Sequence, residues 1–271
     1  MLERASSAPQ GSARLAERRR LRRRRILIAL AILFAALCAG IVYELNQSAV
    51  RISRIQIFGA DQSYADIATA AMQGNYFGII PRDSIFFFPA SRIRADIKSA
   101  HPNVAAVSIF RTGLASISIK MNERVPIARW CGLAPVAGVE AYCYVFDASG
   151  YVFAAAATTT ETVNPFMLYA PLEGDGLEPL RATIAHADEL PSVFDFARQL
   201  SPLGLPVTHV ILRGDEVDTY LASGTRITYV LGNEENAFTA LTSARANLSL
   251  ADGSLDYVDL RFDGKVYVKK K

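Results

Sequence analysis

Residues able to do chemistry are few in this 271-residue chain, and their spacing is uninformative as catalysis. The three histidines are His101, His186 and His209. None stands in the His-Glu-x-x-His pattern that brings two imidazoles to one helix face around a metal. No Gly-x-Ser-x-Gly elbow or Ser-x-x-Lys acylation motif occurs in a plausible context. Glu234-Glu235 opens a predicted helix, where two carboxylates complement the helix dipole without any catalytic role. Arg213-Gly214-Asp215 spells an adhesion triplet, but Gly-Asp there is what a hairpin turn requires. Cys131 and Cys143 lie twelve positions apart, too poor in neighbouring histidines for a metal site. In an oxidising compartment they are a disulfide candidate, and the alternative is a pair of buried thiols. The expectation is therefore a protein that is not an enzyme, with no catalytic, metal or cofactor-binding residues and no small-molecule substrate.

What remains is binding through exposed backbone. The last stretch, Lys265-Val266-Tyr267-Val268-Lys269-Lys270-Lys271, alternates charged and apolar residues and then ends in three lysines. As a final strand it is a candidate sheet edge, whose unpaired N–H and C=O groups are a template for a partner strand. Lysines on such a strand equally well guard the edge against aggregation.

The elements that must position that strand begin at a membrane. Ile26 to Tyr43 is eighteen residues without a charge, an amide side chain or a proline. As a helix it covers roughly 27 Å, close to the hydrocarbon core of a bilayer. A cleaved signal peptide is the rival reading, with a shorter apolar stretch as its mark. Residues 1–25 carry nine Arg against two Glu, a net of +7, and the whole chain is +3, so the remainder is −4. The positive-inside rule keeps the basic tail (1–25) in the cytoplasm and sends everything after the span (26–45) across the membrane. The Arg run is expected to touch membrane lipid. The mildly acidic remainder argues against a nucleic acid partner.

Beyond the span, periodicity predicts a strand over 52–58, stopped by Gly59. A short helix through 67–72 is capped by Asp61 or Ser63. An apolar connector bounded by Pro81 and Pro89 leads to a second helix capped by Ser91, with Ile93, Ile97 and Ala100 on one face. Strands over 104–110 and 114–122 follow, the second alternating Ile117, Ile119 and Met121 with polar residues. A larger unit continues with strands at 142–146 and 151–153, an amphipathic helix beginning at Pro191, and a three-strand meander over 207–231. A helix capped by Asn233 comes next, and a last hairpin turns on Asp263-Gly264. Residues 154–180 read as loop with at most one strand, and 1–17 as a disordered tail.

The order strand, helix, helix, strand, strand just outside a membrane resembles a POTRA domain. Ile55-Gln56-Ile57-Phe58-Gly59, Pro102-Asn103-Val104 and above all Glu123-Arg124-Val125-Pro126-Ile127-Ala128-Arg129-Trp130 resemble the FtsQ/DivIB family of bacterial cell-division proteins. Asp147-x-x-Gly150-x-x-Phe153, Leu231-Gly232 and Tyr257-Val258-Asp259-Leu260-Arg261-Phe262 extend that resemblance through the second unit. It implies an α+β fold with a single N-terminal transmembrane helix, a small β-α-α-β-β POTRA domain over 50–124 and a larger mixed "β domain" over 126–271 with a mostly antiparallel sheet. It also implies a divisome scaffold at the septum of the bacterial cytoplasmic membrane, recruiting and regulating septal peptidoglycan synthesis. Its partners would be FtsB- and FtsL-like single-span proteins and the peptidoglycan synthase complex. The partner-binding residues carried over are Arg261, Phe262, Lys265, Val266, Tyr267 and Val268. Two other readings stand beside it. A sortase-like anchored transpeptidase needs a Thr-x-Thr-Cys strand, which neither Cys131 nor Cys143 provides. A secretion or outer-membrane assembly POTRA protein needs a barrel and usually several POTRA repeats.

Overall fold

A computed structural model describes residues 10–58, 63–136, 142–157, 160–174, 178–262 and 264–271, with side chains from residue 20 onward. Gly59, Asp61 and Asp263, named above as a strand stop, a cap and a turn residue, lie outside the described residues. The chain is a mixed α+β protein that divides into two compact units. The first comprises residues 1–97 and 107–121, and the second comprises 98–106 and 122–271.

Helix α1 (Gln10–Leu45) is much longer than the apolar stretch. It runs back through the basic run, so residues 10–17 are helical rather than disordered. Ala, Leu, Glu and Arg all sit high on the helix-propensity scale, and propagation from an apolar helix costs no new nucleus. Arg20–Leu45 is long and apolar enough to cross a membrane, and none of its most apolar window is buried within the protein. Cys38 lies exposed on it as a free thiol. After Leu45 the chain makes a single 3₁₀ turn over Ser48–Val50.

The first unit then builds β1 (Arg54–Phe58), α2 (Ser63–Ala71), the small hairpin β2 (Asn75–Tyr76) and β3 (Ile80–Pro81), α3 (Ala90–Ala100), β4 (Val104–Arg111) and β5 (Ser116–Glu123). The β2–β3 hairpin sits in what the sequence shows only as an apolar connector. The sheet order is β1-β5-β4, with β1 parallel to β5 from Arg54 opposite Ser116 to Phe58 opposite Lys120. Thus β1 has one open side. Ile117 and Ile119 are fully buried, Met121 is buried, and Lys120 and Asn122 face out as period-2 alternation requires, but Ser118 is buried on this central strand, so the polar face is wet only towards its far end. Ile93 and Ile97 form the buried stripe of α3, while Ala100 is exposed. Ser91 lies inside α3 rather than capping it; the first turn starts one residue earlier, with Ile93 N–H bonded to the Pro89 carbonyl.

The second unit is one nine-stranded sheet. Its strands are β6 (Ala128–Trp130), β7 (Tyr144–Phe146), β8 (Val152–Ala155), β9 (Met167–Tyr169), β10 (Val207–Arg213), β11 (Glu216–Leu221), β12 (Arg226–Val230), β13 (Leu255–Asp259) and β14 (Tyr267–Lys270). Their order is β14-β13-β12-β11-β10-β9-β6-β7-β8. The pairs β12–β13, β10–β9 and β6–β9 are parallel, and the other five are antiparallel. Helices α4 (Leu190–Leu200) and α5 (Glu234–Ala244) pack against each other and onto β10 and β12. Val193, Phe194, Phe196, Ala197 and Leu200 from α4 enter the core, with Leu241 from α5. Pro191 in the first turn of α4 loses no needed hydrogen bond, since that N–H has no intrahelical partner. Asn233 does not cap α5 with its side chain, because its amide oxygen accepts from Asn236 Nδ2 at 2.6 Å instead.

Val210 and Leu212 on β10, Val217 and Leu221 on β11, Ile227 and Tyr229 on β12, and Val258 on β13 face the helices. The alternate residues His209, Ile211, Asp218, Tyr220, Arg226 and Tyr257 therefore line the opposite face. There Cys131 and Cys143 are joined by a disulfide, their Cα atoms 4.3 Å apart, and pack with Tyr169 and Ile211.

Candidate functional site

The last strand of the chain is also the last strand of its sheet. Among the described residues β14 pairs only with β13, in antiparallel register from Asp259 opposite Tyr267 to Leu255 opposite Lys270, with a bulge before Tyr257. Backbone direction along it follows from its two ends. Lys265 N–H bonds to the Phe262 carbonyl and Lys271 N–H to the Ser254 carbonyl, so both point towards β13. Because strand N–H groups alternate in direction, those of Tyr267 and Lys269 also face β13, and those of Val266, Val268 and Lys270 face the open side. The hydrogen-bonded strand begins at Tyr267 rather than at Lys265. Lys265 is spent closing the turn, and Gly264 supplies the positive φ (+67°) that such a turn demands.

Side chains alternate on the same register. Val266 packs against the main core, and Val268, opposite the fully buried Val258, lies on the same face yet is 43% exposed. Tyr267 and Lys269 project from the other face. Tyr267 is 47% exposed and Phe262 is 52% exposed, and their rings meet edge to face with centroids 5.2 Å apart. Two exposed aromatics holding each other at a sheet edge are a preorganised contact surface, since little rotamer entropy remains to be lost on binding.

Arg261 is positioned rather than free. Its guanidinium is bonded to both Asp259 carboxylate oxygens and to Glu216, forty-five residues away, and lies 5.9 Å from the Phe262 ring centre. The hydrogen bonds to Asp259 and Glu216 raise its pKa further above an already high value. The same guanidinium holds the Asp259 carboxyl below the usual carboxylate range, against the opposing push of burial. Further along the edge Lys269 bonds to Asp256 at 2.9 Å, with its ammonium 5.9 Å from the Tyr257 ring. Asp218, almost fully buried on the same face, accepts from the Thr228 hydroxyl at 2.6 Å and pairs with Arg213. The Arg-Gly-Asp triplet thus places Gly214 in the β10–β11 turn and uses Arg213 internally.

On the helix face an open groove of about 720 Å³ runs beside β14. Asn236, Thr239, Ala240, Ser243 and Ala244 of α5 form one wall, and Gly264 and Val266 form the other. A strand added to β14 would direct every second side chain into this groove. Its lining mixes small apolar residues with Asn236, Thr239 and Ser243, which suits side chains of modest size.

The six residues singled out from the sequence therefore divide in four ways. Phe262, Tyr267 and Val268 are exposed at the edge, Arg261 lies beside them at the surface held by Asp259 and Glu216, Val266 packs inward, and Lys265 closes the turn. Sequence reasoning missed Glu216 and α5 as members of the site, because neither is near β14 in the chain.

The histidines are dispersed. His101 precedes β4, His186 sits in a turn with φ of +57°, and His209 lies on β10. His209 is stacked on Tyr220 with centroids 4.3 Å apart and meets the Tyr169 ring edge at 5.8 Å. Glu234 is buried at the start of α5 and accepts the Gly232 N–H at 3.0 Å. Among the described residues no three His, Cys, Asp or Glu side chains converge as a metal site requires. No family model matches the chain, and no curated protein matches it.

Proposed function

We propose that this chain is a single-span scaffold of the FtsQ/DivIB kind, which captures an extended segment of a partner along β14. The observation that carries the reading is the position of β14: a terminal strand, open on one side, flanked by an exposed aromatic pair on one face and a groove on the other. Main-chain hydrogen bonds from Val266, Val268 and Lys270 supply affinity, while Phe262, Tyr267 and the α5 groove select side chains. In this reading the first unit is a POTRA domain, the basic end of α1 stays in the cytoplasm and both units lie outside. The partners are FtsB- and FtsL-like single-span proteins, and through them the septal peptidoglycan synthase complex. The scaffold needs no catalytic group of its own. The family motifs, the basic run before the span and the open edge support this assignment together.

A membrane pull-down after in-cell crosslinking tests it, comparing the full chain with one stopped after Gly264. Two small coiled-coil membrane proteins captured by the first and lost by the second is the expected result. Equal capture by both moves the site away from β14. Capture of wall fragments by both, with no small membrane protein, overturns the scaffold reading.

A further inference from the structure

The first unit carries a second surface, unrelated to β14. Among the described residues it has seven exposed large hydrophobic residues after the span, and six of them, Phe77, Ile79, Phe86, Phe87, Phe110 and Leu114, gather at one end. That end is the one where the chain leaves α1. The connection is short: Leu45, the last residue of α1, is buried, and only five residues separate it from Arg51. There Ile52 N–H bonds to the Asp83 carbonyl, Ile85 N–H bonds to the Val50 carbonyl, and Arg51 clamps the Asp83 carboxylate with three hydrogen bonds. The segment entering from the span is therefore tied directly to the segment leaving the β2–β3 hairpin, and β3 packs against α1 itself. The β4–β5 turn belongs to the same end, because Ser116 lies opposite Arg54, the first residue of β1. Arg111, the last residue of β4 before that turn, bonds to the Phe86 carbonyl and lies over the Phe88 ring.

Phe77 is the most telling of the six. It stands at the tip of the hairpin with φ of +51°, a left-handed conformation that a bulky side chain adopts at a cost of roughly 1–2 kcal/mol. It is also 96% exposed, so no packing within the protein offsets that cost. The cations around these side chains are Arg51, Arg54, Arg82 and Arg111, and Arg82 lies over the Tyr76 ring at 5.2 Å. The carboxylates at this end include Asp83, already clamped by Arg51, and the exposed Glu44 in the last turn of α1. Aromatics and arginines side by side are the composition of a membrane interface, where rings enter the headgroup layer and guanidinium groups meet phosphates.

We infer that the span-side end of the first unit is a lipid-binding face that seats the unit on the outer surface of an anionic bilayer, with Phe77 and Ile79 inserted among the headgroups. This rests on α1 spanning the membrane, and on no partner protein. It would fix the height and tilt of the unit above the bilayer instead of leaving it on a free tether.

The test uses the full chain with Cys38→Ala, in nanodiscs of phosphatidylcholine with and without phosphatidylglycerol. An environment-sensitive fluorophore is attached at Phe77→Cys, at Leu114→Cys or at Phe58→Cys; Phe58 is exposed at the opposite end of β1. Insertion of the span is read separately by flotation after alkaline extraction. The expected result is blue-shifted emission and loss of signal to headgroup-borne nitroxide at 77 and 114, stronger with phosphatidylglycerol, and neither at 58. Adding Phe77→Ser with Ile79→Ser should return the label at 114 to water. A chain that floats while 77 and 114 behave as 58 does overturns the lipid face alone. Shielding of 77 only in native membranes, not in nanodiscs, assigns the face to a protein and overturns it too. A chain that does not float overturns both this inference and the anchor.

Discussion

Arg124 and Asp147 are joined in an ion pair that is largely screened from water, their side chains 17% and 14% exposed. The Arg124 guanidinium also lies over the Tyr151 ring at 4.1 Å and donates to the Pro102 carbonyl. Asp147 in turn accepts from the Ser149 hydroxyl and from the Ser149 and Tyr151 N–H groups, closing the turn between β7 and β8. Two sequence motifs twenty-three positions apart thus meet in one structural clamp on the second unit. Burial raises the Asp147 pKa, but the hydrogen bonds from Ser149, Arg124 and Tyr151 outweigh it and leave the carboxyl below its ordinary value.

Removing the clamp should destabilise the second unit without touching β14. Arg124→Ala leaves a desolvated carboxylate short of a partner, at a cost of about 2–3 kcal/mol. Differential scanning calorimetry should show a fall in its transition of roughly 5–10 °C. The pH dependence has a definite sign. A carboxyl whose folded pKa is depressed adds stability that is complete above its unfolded value, near 4, and is lost as pH falls through the folded one. Arg124→Ala should therefore flatten the stability curve below about pH 4; an unchanged acid limb would show the pair to be energetically idle.

At the edge strand, proline scanning separates the two sides of the backbone. Val268→Pro removes an N–H that faces the open side and should abolish partner capture while the β13–β14 ladder survives. Tyr267→Pro removes an N–H directed at Asp259 and should detach β14 itself, with earlier amide exchange at Val258 and Asp259. Capture unaffected by Val268→Pro would exclude strand addition.

His209 gives a second pH response. Burial against Tyr220 and Tyr169 lowers its pKa, so the folded chain takes up the proton at a lower pH than the unfolded chain, which protonates near pH 6.5. Stability is then complete above about pH 6.5 and declines as pH falls through the folded value. Replacement by Phe, which keeps the stack, should remove that decline, as followed by urea midpoints between pH 5 and 7.

The disulfide closes a twelve-residue separation on the sheet face opposite the helices. Replacing Cys131 and Cys143 together by Ala should lower the stability of the second unit by about 3 kcal/mol on chain-entropy grounds. Reductant should shift the parent chain by a similar amount and leave the double variant unmoved.

Much of the local structure was legible in the residues alone. The apolar helix, long enough to cross a membrane, follows from eighteen uncharged positions after an arginine run. The apolar stripes of α3 and α4, the alternation of β5 and the turns carrying Gly150, Gly214, Gly224 and Gly264 follow from local periodicity and backbone chemistry. Boundaries failed where local signals compete. Strong helix formers carried α1 back to Gln10, and the Tyr76–Ile80 hairpin was masked by an unbroken apolar run. The three-residue strand β6 was invisible as a strand, since three residues show no period, and β9 is the one strand that the reading of 154–180 allowed without placing it; the two pair in parallel across nearly forty intervening positions.

By itself, then, the sequence determined an α+β chain with one N-terminal helix long and apolar enough to cross a membrane, a charged, alternating last strand and a disulfide-compatible pair of cysteines. Only the tertiary structure decided that β14 ends the sheet, that Glu216 and Asp259 hold Arg261 beneath Phe262, and that six scattered hydrophobic residues share the span-side end of the first unit. The reason is physical. Helices, turns and alternation are set by neighbours within a few residues. Sheet order and the sharing of a surface depend on which distant segments bury one another, and that is settled only by closing the whole core.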